Sequence, residues 1–266
     1  MKRSYLAVIT IGALCLLFQS AQATILFSEA FNYNAGALAG NINPGNSTAW
    51  SAGASGLTVV SGNLTYAGLA DQGGNELQIA NGSAGTIFNT YANQTSGQVY
   101  YSFLFDATAA DSANNYFTAL NPGVATPNGS SDAMNAYFYA AGQLRIRAAA
   151  QSAAGSTILT LNQTYLVVEM IDLTAHTASL WVDPTSSTFG LTAPAADVTL
   201  SGITATAVAD VGFKTQSAAG GPYLVDNLLI GTTWADVTPA GVPEPATFAF
   251  AALGLLGGFI ARLRRR

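Results

Sequence analysis

The sequence is short of cysteine, histidine and charge. One cysteine, Cys15, cannot close a disulfide within the chain, so stability must come from packing. One histidine, His176, argues against a zinc site of the usual ligand set. Charged side chains occupy 9% of the 266 positions, against about 25% in ordinary soluble chains. Cations are scarcest in the middle. Lys2 and Arg3 open the chain, Arg262, Arg264, Arg265 and Arg266 close it, and only Arg145, Arg147 and Lys214 lie between. Residues 24–241 thus set three cations against thirteen acids, a net charge of −10 where the whole chain has −5. No basic face is in prospect, which excludes nucleic-acid binding. Half of the residues are apolar, which excludes wholesale disorder.

Both ends read as addresses. Residues 1–23 have a basic start, an apolar run over residues 6–18 and a small-x-small site at Ala21 and Ala23, the pattern of a secretory signal peptide. A first membrane anchor is the alternative. A lipoprotein reading of Cys15 fails because bulky Leu14 precedes it. At the other end stand Val242, Pro243, Glu244 and Pro245, then an apolar stretch over residues 246–261, then the basic residues 262–266. The prolines keep their motif extended and accessible. As a helix the apolar stretch spans about 24 Å. That is short of roughly 30 Å of hydrocarbon, but usable if the arginines snorkel. The arginines then stay cytoplasmic and hold residues 24–241 outside. A plain tail anchor with a Pro-rich stalk is the alternative.

The order of Val242-Pro243-Glu244-Pro245, short apolar helix and terminal arginines resembles the PEP-CTERM sorting signal of Gram-negative bacteria. The resemblance implies export by the secretion machinery and a transient inner-membrane anchor. Processing by an exosortase then leads to the cell surface or matrix. It also implies an association with exopolysaccharide and biofilm.

Between the addresses, short alternating runs bounded by Gly, Asn, Ser and Pro point to strands. In residues 98–106, Val99, Tyr101, Phe103 and Phe105 share one face. Leu144 and Ile146 alternate with Arg145 and Arg147, which places the arginines toward solvent; an acid or sugar clamp is the sharper reading. Residues 165–172 and 178–183 form a hairpin. Other strands are expected at 25–31, 57–60, 64–66, 76–79, 116–120, 136–139, 157–161, 197–200, 204–213 and 224–230. A dozen short strands argue for one antiparallel sandwich over residues 24–237, followed by a Pro-rich linker and sorting motif over 238–245. Residues 27–33, 165–168, 178–184 and 225–231 resemble the concanavalin A-like, laminin-G-like jelly rolls. That resemblance implies that the first and last strands lie side by side.

The search for chemistry returns little. Glu169 and Asp172 are the nearest approach to the paired carboxylates of a glycosidase, but their odd separation turns them to opposite faces. Glu169 is expected to be exposed or hydrogen-bonded, Asp172 to start a turn, and His176 to occupy a hairpin loop without a role. No catalytic residue is assigned. Calcium is the only cofactor candidate, with Asp226 and Asn227 as ligands or structural groups. Residues 71–76 and 106–111 are further calcium candidates. Trp50, Trp181 and Tyr137 are candidate glycan contacts, because Trp and Tyr offer a flat apolar face with a polar edge. Trp50, in a Gly/Asn/Ser-rich stretch, is expected to be the most exposed. The reading is a non-enzymatic structural or polysaccharide-associated module; a glycoside hydrolase or lyase on the same fold is the alternative. An acidic body should repel acidic polymers unless calcium bridges them or neutral sugars stack on its rings.

Overall fold

The computed structural model describes residues 24–53, 55–80, 85–110, 115–123, 132–139, 141–215 and 222–241. The expected signal peptide with Ala21 and Ala23, the motif at Val242, Pro243, Glu244 and Pro245, the apolar helix and the arginine tail all lie outside them. Among the described residues no helix is long and apolar enough to cross a membrane.

The strands in chain order are β1 (Ile25–Glu29), β2 (Gly36–Ala37), β3 (Leu57–Val60), β4 (Glu76–Ile79), β5 (Gly85–Gln94), β6 (Gln98–Ala107), β7 (Asn115–Asn121) and β8 (Met134–Phe138). After these come β9 (Gln143–Ala148), β10 (Gln151–Ile158), β11 (Tyr165–Asp172), β12 (Thr177–Val182), β13 (Val198–Ser201), β14 (Val208–Thr215) and β15 (Tyr223–Gly231). A one-turn helix, α1 (Trp234–Val237), follows. Thr233 and Asp236 cap it reciprocally: each side chain accepts a hydrogen bond from the other's backbone N–H.

Two antiparallel sheets form a sandwich. The nine-stranded sheet runs β13-β12-β11-β6-β15-β4-β3-β2, with β1 also paired to β15. The six-stranded sheet runs β10-β9-β8-β7-β14-β5. The first and last strands do meet, with Phe27 opposite Ile230 and Glu29 opposite Leu228.

Alternation decides which side chains fill the core. Val99, Tyr101, Phe103 and Phe105 of β6 point between the sheets, where Phe105 stacks on Phe117 at 4.9 Å. Tyr100 and Leu104 point the other way, into a second apolar layer with Leu166, Val168, Trp181 and Trp234. Leu64, Leu69, Phe189 and α1 cover that outer face, and Trp181 meets Trp234 edge-on at 5.2 Å. The long central strands are therefore apolar on both sides.

Several boundaries differ from expectation. Residues 64–66 form no strand; they lie across the outer layer, tied by the bond from the Leu64 N–H to Asp226. The strand expected at 157–161 is β10, which begins at Gln151, and the one expected from 204 begins at Val208. The ten-residue β5 escaped notice because polar Asn89 occupies a fully buried position between Ile87 and Tyr91. Residues 238–241 belong to the body and not to a linker. Thr238 is buried, the Pro239 carbonyl accepts from Ala70, and the Gly241 N–H donates to Gly68.

Candidate functional site

The three cations of the body come together on one face. Leu144, Ile146 and Ala148 of β9 point into the core, so Arg145 and Arg147 point outward from the six-stranded sheet. Phe213 of β14 points inward, which turns Lys214 to the same outer face. Strands β8 and β7 lie between and carry two tyrosines in line: Arg145 is opposite Tyr137, and Tyr137 is opposite Tyr116. The next register row has Arg147, Asn135, Ala119 and Gly212, whose small members leave the middle of the face low.

Each cation is held by an aromatic side chain. The Lys214 ammonium donates to the Tyr116 hydroxyl and lies 4.1 Å from that ring's centroid. Arg147 Nη1 donates to the Tyr137 hydroxyl at 3.0 Å, and its Nε to the Ala149 carbonyl at 2.9 Å. Arg145 lies over the Tyr139 ring at 4.9 Å. Tyr116 and Tyr137 touch, with centroids 5.4 Å apart. Burial lifts the Tyr116 hydroxyl pKa, with the Asp132 charge and Tyr137 adding and Arg147 opposing. Burial lowers the Lys214 pKa, and nearby Asp132 opposes that shift.

A pocket of about 360 Å³ opens beside the arginines, lined by Tyr137, Arg145, Arg147, Ala150 and Ser152. Across the β9–β10 turn is a smaller one of about 220 Å³, lined in part by Asp132, Ala149 and residues 204–207. Ala149 takes φ +51°, which costs a non-glycine residue about 1–2 kcal/mol.

The other candidates take different places. Trp50 was expected at the surface and is 1% exposed. Its ring packs on Phe27 and Phe213, and its Nε1 donates to the buried Glu29 carboxylate at 2.9 Å. Trp181 offers no open side either, because the second apolar layer covers it and its Nε1 donates to the Pro194 carbonyl. Tyr137 does line the pocket, as a nearly buried wall held by Arg147 and not as an open stacking platform.

Glu169 contradicts the expectation most sharply. It shares its face with Val167 and Ile171, lies fully buried between the sheets, and neither carboxylate oxygen has a hydrogen-bond partner. Burial pushes its pKa up to about 8. Asp172 starts the turn as expected: it accepts from the Thr174 and Ala175 N–H groups, and these bonds hold its pKa low. The two carboxylates do not converge. His176 is exposed in the β11–β12 turn.

Asp226 and Asn227 form a bulge that ties β15 to the covering segment. Asp226 accepts from the Leu64 and Asn227 N–H groups, and Asn227 Oδ1 accepts from the Gln72 N–H. Burial pushes the Asp226 pKa up to about 8; the two amides oppose this, while Glu76 and Asp71 add to it. Among the described residues no three His, Cys, Asp or Glu side chains form a group able to hold a metal ion. Asp111, a further calcium candidate, lies outside them.

The C-terminal address was the remaining motif. Residues 241–266 match the PEP-CTERM protein-sorting motif. The motif indicates export and cell-surface sorting in Gram-negative bacteria, with an exosortase as the class of partner. No curated protein matches it. Among solved structures, a Trypanosoma rangeli sialidase is similar over 68% of this chain and 28% of its own, at 12% identity and a TM-score of 0.42. A second sialidase is similar over 80% and 19%, at 12% identity and TM-score 0.48. Domain 4 of AbnA, an extracellular arabinanase from Geobacillus stearothermophilus in complex with arabinotriose, is similar over 81% and 98%, at 12% identity and TM-score 0.47. The chain spans less than a third of either sialidase. Overlaps of this extent say nothing of what the chain binds.

Lys214 is the member of this cationic face that the sequence did not single out. Its outward parity beside Phe213 was readable, but no local signal says that β14 and β9 join one sheet.

Proposed function

We propose that the body is a non-enzymatic, polysaccharide-associated module, and that it holds saccharide on the outer face of the six-stranded sheet. The gathering of all three body cations with Tyr116, Tyr137 and Tyr139 on this face is the observation that carries the reading. Hydroxyls, guanidiniums and ring edges are the groups that meet a polar ring with many donors and acceptors. An exported, matrix-bound destination supplies the ligand class. On the nine-stranded side, by contrast, Trp181 and Trp234 are already packed beneath covering segments. In a pull-down with extracellular polysaccharide, the full-length protein is retained. Exchange of Tyr137 and Arg147 together for alanine lowers retention at least tenfold. Undiminished retention would place binding elsewhere, and depolymerisation of the polymer by the protein would overturn the non-enzymatic half.

The sorting signal has its own test. With Pro243-Glu244-Pro245 replaced by three alanines, the unprocessed form accumulates in the inner-membrane fraction and disappears from the surface. Immunoblots of fractionated cells read this directly. Normal release of the variant would show that the motif is not the processing site.

A further inference from the structure

We propose that the pocket beside β9 is a carboxylate subsite, so that the saccharide held there is an acidic one, with its sugar-acid group received by Arg145 and Arg147. The inference rests on the binding face proposed above and names its ligand class. Two residues apart on one strand, the arginines project in the same direction about 7 Å apart at the backbone. Their pocket, at about 360 Å³, lies within the range of small-ligand sites. Tyr137, Ala150 and Ser152 complete its lining.

Neither guanidinium meets a carboxylate among the described residues. Arg147 spends Nη1 on the Tyr137 hydroxyl and Nε on the Ala149 carbonyl. Arg145 lies over the Tyr139 ring, and among the described residues its buried Nε has no acceptor. A carboxylate in the pocket would meet charge-assisted donors, which bind it more strongly than neutral ones. The nearest acid on this face is Asp132, which accepts from Asn135, the residue opposite Arg147. Planar forks held in this way suit a planar carboxylate. Lys214 is the weaker candidate on the face, because its ammonium is already bonded to Tyr116. The strained Ala149 completes the pattern: its carbonyl is the group that fixes Arg147, so the turn's unfavourable backbone serves the guanidinium's position. With this pocket an acidic saccharide can be held on an acidic body without calcium to bridge it.

The test measures binding of the full-length protein to three polyuronates (polygalacturonate, alginate and hyaluronate) and to the methyl ester of each. At least one acidic form should bind ten or more times tighter than its ester. Arg145→Gln combined with Arg147→Gln should abolish that preference. Equal binding of acid and ester, a preference retained in the double variant, or no binding by any polyuronate overturns the inference. The ester comparison needs no variant, so it stands even if the double substitution impairs folding. Neutral esters or other neutral polymers that bind and are lost with Tyr137 would leave the wider proposal intact while sinking this one.

Discussion

Exchanging Glu169 for methionine raises the melting temperature, and raises it most at alkaline pH. The carboxyl sits between two sheets with no hydrogen-bond partner, and burial lifts its pKa from 4.5 to about 8. An acid whose pKa is higher in the folded state binds its proton more tightly there. Stability is therefore greatest below the unfolded pKa and falls as pH rises toward the folded one. The slope is about 1.4 kcal/mol per pH unit, of the order of 4 kcal/mol between pH 5 and pH 8. Asp226 has the same sign of shift and adds to the slope. Methionine fills a similar volume without a charge, so the variant should gain roughly 10 °C at pH 8 and clearly less at pH 5. Thermal melts of both proteins at the two pH values check this. An equal gain at both would mean that Glu169 does not titrate between them.

Glu29→Ala should be as damaging as Glu169→Met is helpful. Glu29 is buried and accepts four hydrogen bonds: from the Phe31 N–H at 2.7 Å, the Tyr33 hydroxyl at 2.6 Å, Asn43 Nδ2 at 2.9 Å and Trp50 Nε1 at 2.9 Å. These donors fold residues 30–50 back over the end of the sandwich. Phe31 is held at φ +48°, an unfavourable conformation that the bond to its amide helps maintain. Alanine leaves the Phe31 amide, the Trp50 indole and the half-buried Tyr33 hydroxyl without this acceptor, while Asn43 Nδ2 keeps the Ser28 carbonyl; each buried unsatisfied group costs about 1–3 kcal/mol. Allowing for relaxation and water entry, the loss should be about 3–5 kcal/mol. Urea unfolding followed by tryptophan fluorescence reads both the lower midpoint and the wetter environment of Trp50. A loss below about 1 kcal/mol would show that the four bonds are replaceable.

Glu29 and Glu169 show where reading the sequence stops. Alternation placed Arg145 and Arg147 outward, and the strands at 57–60, 76–79 and 165–172 fall where the residues put them. Such signals are local. Glu169 shares parity with Val167 and Ile171, which hinted at burial. Val168 and Met170 blur that hint, because β11 is apolar on both faces. Trp50 was misplaced for a different reason. A polar, Gly-rich segment reads as an exposed loop, whereas the acceptor that draws its indole inside lies twenty-one residues earlier. The cationic face joins β9 to β14 through β8 and β7, and that pairing order is a property of the whole sheet.

The pairing of β1 with β15 also sets a clock. These partners stand about 200 residues apart, and β15 is the neighbour that β1 finds in the sheet. In folding the first strand must wait for that distant partner, and closing so long a loop is the slow kind of step. The closing strand and the sorting motif are close in sequence: eleven residues separate Gly231 from Pro243, the first residue of the Pro-Glu-Pro core. A chain truncated before β15 would leave its opening strand without that partner.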